Sequence, residues 1–394
     1  MKIHGKKTTT FLLIFSQFLG TSLWFVGNIS IPQLPIPEAK DLATVSDALA
    51  AVQFGFILGT LVYAFLLIAD RFSPSRVFMI SALLAAVCNL GLLLPHPDFN
   101  IILSFRFLTG FFLAGIYPVG MKIAADYYEK GLGKTLGYLI GALVLGTAFP
   151  HFLNSLGLQF DYVKITWITS FLAILGGFLV GFLIPDGPFR KKQQVFKWNA
   201  FALLFKNTDF RKAAYGYFGH MWELYAFWAF LPVFIHFYNR QHSTDLNVAL
   251  WSFLCIAVGA VSCAWGGHLS LKWGSKKVAG VSLKLSGLCC LISPIAVLLS
   301  PFFFLSLMLL WGAAVIADSP QFSRMVAASA TPETRGSALT LVNCIGFGIS
   351  VVSIQVLGHL PESFSTQYSY LILALGPLFG LWKMGGFGSK NGLN

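Results

Sequence analysis

Apolar runs of bilayer-crossing length recur along almost the whole chain, and they leave few folds open to it. A helix needs roughly 20 apolar residues to cross about 30 Å of hydrocarbon. Twelve such runs, separated by Pro, Gly and charged residues, have limits near 9–31, 46–69, 75–95, 100–125, 133–155, 163–184, 211–237, 246–270, 276–300, 302–325, 334–359 and 366–386. Water is absent at that depth, so each backbone amide must bond inside its own segment, and runs of this length select helices. Composition agrees: 11% of residues are charged, against about 25% in an average soluble domain. No hydrophilic block is long enough for a separate soluble enzyme domain. The expected fold is an all-α integral membrane protein of twelve transmembrane helices.

A net charge of +12 raises the question of nucleic acid. The basic residues, however, lie in short clusters between apolar runs, which excludes an extended basic face. With both termini inside, the outer loops hold only Lys40, Lys164 and Arg240, as the positive-inside rule requires. The expectation is a multi-pass cell-membrane protein with both termini cytoplasmic; the short outer loops point to a bacterial inner membrane. The six cysteines all fall within apolar runs and none has metal-ligand spacing, so neither a metal, a cofactor nor a disulfide framework is expected. The first apolar run follows basic residues like a signal peptide but continues from Thr10 past Trp24 without a small-residue cleavage site. It reads as an uncleaved first span.

The longest interior hydrophilic stretch, Pro185 to Lys212, divides the runs into six and six. The expected organisation is an N-terminal bundle over 1–184, a cytoplasmic linker over 185–210 and a C-terminal bundle over 211–394. Within the linker, Trp198 to Phe205 carries an apolar stripe that suits a short surface helix, or it is plain linker. An internal repeat supports the division. Tyr117-Pro118 followed by Lys122 recurs 202 residues later as Ser319-Pro320 followed by Arg324. The loop at Asp70 has a counterpart, 201 residues on, in Gly267 to Lys277. Two features at nearly one offset indicate a duplicated six-span unit, hence two pseudo-symmetric bundles.

The ionisable residues inside the runs carry the functional signal, because a charge at bilayer depth costs about 2.5–3.5 kcal/mol on insertion scales. In the stretch Phe210 to Tyr238, Glu223 follows His220 by three residues, so the two share a helix face. They read as a proton-titrating or substrate-binding pair, or as a protonated Glu that holds helices together. Arg106, between Phe105 and Phe107, cannot lose its proton. It must find a carboxylate, carbonyls, water or an anionic substrate. Asp318 lies two residues before Pro320, whose missing donor frees backbone groups, a frequent setting for a site or hinge. Lys284 is either its neighbour or an interfacial residue. Lys122 and Arg324 sit near inner span ends and can snorkel to the interface.

The loop after the second run reads Leu66-Leu67-Ile68-Ala69-Asp70-Arg71-Phe72-Ser73-Pro74-Ser75-Arg76. Ala69, Asp70, Arg71 and Arg76 fit the pattern Gly-x-Leu-Ala-Asp-Arg-x-Gly-Arg-Arg, with Leu66 and Ser73 in place of its glycines and a Pro inserted. The second copy restores both glycines at Gly267 and Gly274 but lacks the Asp. Arg106 and Gly110, followed by Gly115, give the fourth-span pattern Arg-x-x-x-Gly. With twelve runs and a central linker, the chain resembles the major facilitator superfamily over its whole length. The resemblance implies a secondary transporter working by alternating access. It implies that Asp70 pairs with a cation at the end of a neighbouring helix, with Lys122, Lys130 and Lys134 as candidates. Asp70, Arg71, Arg76, Lys122 and Arg324 would then form a conformational latch. It also implies that the first and seventh spans line a central cavity. Gln17, Asn28, His220 and Glu223 would then face one another, with Arg106 as a further substrate contact and Tyr117, Trp222 and Tyr225 as aromatic walls.

No phosphate-cradling Gly-x-x-x-x-Gly-Lys and no soluble catalytic constellation occurs in the chain, so neither ATP-driven transport nor an enzyme is expected. The clustered titratable groups Glu223, His220 and Asp318, with Arg106, suit a monomeric proton-coupled carrier of a small polar or anionic solute. A nitrate or nitrite exchanger of the resembling family would need an arginine in each of the second and eighth spans, and residues 46–69 and 246–270 contain none. A membrane receptor or enzyme on the same scaffold is the remaining alternative, with His220 and Glu223 too few and too deep for chemistry at an interface.

Overall fold

The computed structural model describes residues 5–36, 41–95, 98–128, 132–157, 160–190, 204–331, 334–361 and 365–385. Every regular element among them is helical. The first passage is interrupted, as α1 (Lys6–Thr21) and α2 (Val26–Ser30). Then come α3 (Leu42–Phe65), the short α4 (Ile68–Arg71) and α5 (Pro74–Asn89). The fourth passage is again split, as α6 (Phe99–Leu113) and α7 (Tyr117–Tyr127), and is followed by α8 (Leu132–Ser155) and α9 (Tyr162–Leu183). After the linker come α10 (Thr208–His242), α11 (Val248–Trp273) and α12 (Ser275–Ala296). A third split passage comprises α13 (Pro301–Ala317) and α14 (Ser319–Ala328). The chain closes with α15 (Arg335–Gly358), α16 (Thr366–Ser369), a 3-10 turn Tyr370–Ala374 and α17 (Leu375–Met384).

Among the described residues, ten of these passages are long and apolar enough to cross a membrane. They coincide with ten of the twelve expected runs, with ends displaced by a few residues. The other two runs fall on α10, whose ends carry Asp209, Arg211, Lys212 and Arg240, and on the broken stretch from α16 to α17. The surface helix expected over Trp198 to Phe205 falls mostly outside the described residues, as does Lys130.

Local chemistry sets where several helices begin. The Asn207 side chain accepts from the Asp209 and Phe210 amides at 2.9 and 3.3 Å, Asp161 accepts from the Lys164 amide at 2.9 Å, and Asn247 accepts from the Leu250 amide at 2.9 Å. Each satisfies an amide that the first helical turn leaves unpaired. The breaks at Ala114 to Ile116 and at Asp318 precede Pro118 and Pro320, which have no amide proton to donate. At the second of these, the Cys263 thiol donates to the Ile316 carbonyl at 3.5 Å, the oxygen that residue 320 would otherwise have bonded.

Between helices in lipid, association depends on close packing rather than on the hydrophobic effect. On α6, a Cβ at Gly110 would overlap the carbonyl of Val52 in α3; on α13, a Cβ at Gly312 would overlap that of Cys255 in α11. Gly110→Val is expected to cost about 1–3 kcal/mol through overpacking, read as a lower thermal midpoint of the detergent-purified protein. α8 also packs along α11, and α3 along α15. Where the first passage, α3, α10 and α15 meet, Trp24, Phe56, Tyr225 and Phe347 form one aromatic knot, with centroid separations of 4.7–5.8 Å.

Candidate functional site

The break in the first passage has no proline behind it. Its freed carbonyls are met by Arg106 on α6, which is fully buried. The Nη2 group donates to the carbonyls of Leu23 at 3.3 Å and Trp24 at 2.8 Å, and Nη1 donates to Asn89 Oδ1 at 3.1 Å. Asn89 in turn donates to Ser170 Oγ at 3.0 Å. Of the partners open to it in the sequence, Arg106 therefore takes carbonyls. A guanidinium fork is well shaped to satisfy two freed carbonyls at once.

The expected pairing of His220 with Glu223 does not form. His220 Nδ1 instead lies 2.8 Å from Asp318 Oδ1, both residues fully buried, joining α10 to the α13–α14 break. Glu223, also fully buried, turns to α12 and α13: Oε2 accepts from Ser286 at 2.8 Å, and Oε1 from Trp311 at 2.6 Å and Cys290 at 3.3 Å. Three residues advance a helix by about 300°, leaving roughly 60° between the two side chains. That offset is enough to send them to different neighbours.

The expected ring of Gln17, Asn28, His220 and Glu223 is corrected in the same way. Gln17 packs on α7, where a Cβ at Gly120 would overlap its Oε1. Only Asn28 reaches α10, with Nδ2 donating to the Ala229 carbonyl at 3.3 Å. Tyr225 stacks on Trp24 at 5.8 Å. Trp222 faces away and donates through Nε1 to the Ile372 carbonyl at 3.0 Å. Tyr117, half-buried, begins α7, and Lys284 is exposed on α12, whereas both members of the His220–Asp318 pair are fully buried.

Toward the end that carries Lys6 and Met384, Lys122 Nζ lies 2.8 Å from Asp70 Oδ1 and 3.8 Å from Asp126 Oδ1. Arg190 pairs with Asp186 and donates to the carbonyls of Asp70 at 2.9 Å and Phe72 at 2.7 Å; sequence reasoning missed this clamp. Arg71 and Arg76 are exposed, and Arg324 donates to Ser270 Oγ at 3.0 Å. A cavity of about 230 Å³ opens there beside Lys212, Lys276 and Met384. At the opposite end, one of about 290 Å³ is lined by Leu42, Phe230, Val233, Leu357 and Tyr370.

Sequence reasoning also passed over a group around Phe25, whose ring lies 6.5 Å from that of His151 and 6.4 Å from that of Trp228. The imidazole nitrogens of His151, the Nε1 groups of Trp24 and Trp228, Asn28 Oδ1 and Thr147 Oγ1 are all buried without a hydrogen-bond partner among the described residues. The available signal was the spacing of Thr147 and His151, which places both on one face of α8.

The sequence profile of the Major Facilitator Superfamily matches residues 11–354. No curated protein sequence matches the chain. Among solved structures, a crystal structure of the nucleoside transporter NupG, in a mutant form, superposes with a TM-score of 0.71 at 17% identity, covering 98% of this chain and 100% of that one.

Proposed function

The chain belongs to the major facilitator superfamily, and on that premise we propose that this transporter moves a small polar solute by alternating access, coupled to protons through His220 and Asp318. The observation that carries the reading is the 2.8 Å His220–Asp318 pair, buried where the α13–α14 passage breaks. Protonating Asp318 removes its negative charge and so weakens the charge-assisted contact that ties α10 to the break, leaving at most a neutral hydrogen bond. A solute that binds one arrangement better than the other is then linked to the proton by the same free energy, in both directions. Proton-driven accumulation in proteoliposomes tests it, and accumulation unaffected by Asp318→Asn would sink it.

Glu223 is the second titrating group. A proton on Oε2 can be donated to Ser286 Oγ, while Oε1 still accepts from Trp311 and Cys290, so neither protonation state loses a partner. Glutamine keeps the same geometry. Glu223→Gln should therefore hold stability within about 1 kcal/mol of wild type while changing the pH dependence of transport. An unchanged pH profile would leave Glu223 as an anchor only.

Twelve spans in two six-helix bundles, 1–184 and 211–394 about a cytoplasmic linker, complete the proposal, with α10 as the seventh span and α16–α17 as the twelfth. The equivalent close approaches at Gly110 and Gly312, 202 residues apart, support the duplication. The scarcity of Lys and Arg in the loops opposite the termini supports cytoplasmic termini, and a monomer in a bacterial inner membrane completes the proposal. The Asp70–Lys122 bridge then acts as a cytoplasmic latch, with Arg71, Arg76 and Arg324 at the interface beside it. Its side chains are about 25% exposed, so it is worth about 0.2–1 kcal/mol. Asp70→Asn should shift the two access states by up to about fivefold, measurable as spin-label distances across the linker-side face.

A further inference from the structure

The unpartnered groups around Phe25 have a composition that specifies a ligand. They come from the first-passage break (Trp24, Asn28), from α8 (Thr147, His151) and from α10 (Trp228). Trp24, His151 and Trp228 are fully buried, and Thr147 is 1% exposed. A buried polar atom without a partner is costly and uncommon in folded proteins, and six such atoms lie on three elements that Phe25 links, its ring 6.5 Å from that of His151 and 6.4 Å from that of Trp228. The two indole N–H groups only donate and Asn28 Oδ1 only accepts, whereas neutral His151 and Thr147 do both. Phe25, Tyr225 and the two indoles supply aromatic faces, with Tyr225 5.5 Å from Trp228.

Charge beside this set is limited to one guanidinium, whose Nε has no partner among the described residues. Arg106 is committed through Nη1 and Nη2 to Asn89, Leu23 and Trp24. Its Nε lies against the backbone of Gly27, 3.1 Å from where a Cβ would stand. Glu223 on α10 points away, to Ser286, Cys290 and Trp311. An anion brought among these groups would be desolvated and would meet only the Nε edge of a guanidinium whose other two nitrogens are already bonded.

We infer that these groups are the solute-recognition site, and that the solute is an uncharged planar nitrogen heterocycle, free or as a glycoside, whose edge both donates and accepts. This rests on the carrier reading above and narrows its solute class. The ring stacks between the aromatic faces, as bases do on aromatic platforms, while the indoles, Asn28 and His151 read its edge. The site lies between the first passage and α10, which Asn28 joins through the Ala229 carbonyl. Opening that contact admits the ring.

Equilibrium binding of tritiated uracil and adenine to the detergent-purified full chain tests the inference, with their ribosides, orotate and myo-inositol as competitors. Orotate differs from uracil by one carboxylate, and myo-inositol is neutral but not planar. The expected result is saturable binding of at least one of the two heterocycles or its riboside, with orotate and myo-inositol failing to compete. Trp228→Phe and His151→Gln should each weaken it by roughly tenfold, the scale of one buried hydrogen bond left unmade. No saturable binding of either heterocycle or its riboside overturns the inference. So does equal competition by orotate or myo-inositol, or full affinity in both variants. Binding needs no gradient, so a chain that binds uracil without moving protons would end the coupling proposal and leave this one standing. Proton-driven uptake of orotate would do the reverse.

Discussion

Asp318→Asn should reduce proton-driven accumulation to equilibration while leaving solute exchange intact. Each pH unit is worth about 1.36 kcal/mol per proton. A one-proton carrier under a difference of about two units can therefore concentrate a neutral solute up to roughly 100-fold. Asparagine keeps the shape of Asp318 and can still bond His220 Nδ1, which lies 2.8 Å from the carboxylate, but it cannot take up or release a proton. The carrier should then cycle, loaded or empty, without carrying a proton, and the accumulation ratio should fall to about one. Counterflow of labelled against unlabelled solute isolates that exchange step and should persist. Loss of both activities, with the thermal midpoint also lowered, would mean that Asp318 serves the fold.

Arg106→Ala should be the most destabilising single substitution considered. It leaves the carbonyls of Leu23 and Trp24, and Asn89 Oδ1, without the donor they now share. At about 1–3 kcal/mol for each buried group left unsatisfied, the loss is roughly 3 kcal/mol or more, a large part of a typical stability of about 5–15 kcal/mol. Yield from the membrane should fall, and the remaining protein should melt several degrees lower. Arg106→Lys should not rescue it, because one ammonium lacks the fork that spans two carbonyls and the Asn89 oxygen. A lysine variant with unchanged stability would show that the charge, rather than the fork, supports the break.

The difference between these two residues marks what a sequence can tell. Both stood out from sequence as charges in apolar runs. The break before Pro320 was legible because proline lacks a donor, Pro118 was legible only as its repeat mate, and ten helices were legible because hydrocarbon permits no other solution for runs of that length. The first-passage break was not legible: its residues, Ser22 to Phe25, carry no proline or glycine, and the donor that satisfies its carbonyls lies more than 80 residues away in Arg106. Sharing a helix face also proved too coarse for His220 and Glu223, since a rotation of about 60° decides which neighbouring helix each meets. Asp318 was identified singly, but its partner depends on how α10 packs on α14. His151 and Trp228 were hidden among many aromatic and apolar residues, and only the absence of partners around Phe25 distinguishes them.

Proton movement driven by solute alone tests the coupling most directly. Vesicles reconstituted with the full chain, clamped at zero potential and loaded with a pH-reporting dye, would receive a gradient of a bound solute with no initial pH difference. In the wild type the solute gradient should move protons and change the internal pH, and in Asp318→Asn the solute should still exchange while the dye stays silent. Solute entry without proton movement in the wild type, or undiminished proton movement in Asp318→Asn, would contradict coupling through the His220–Asp318 pair.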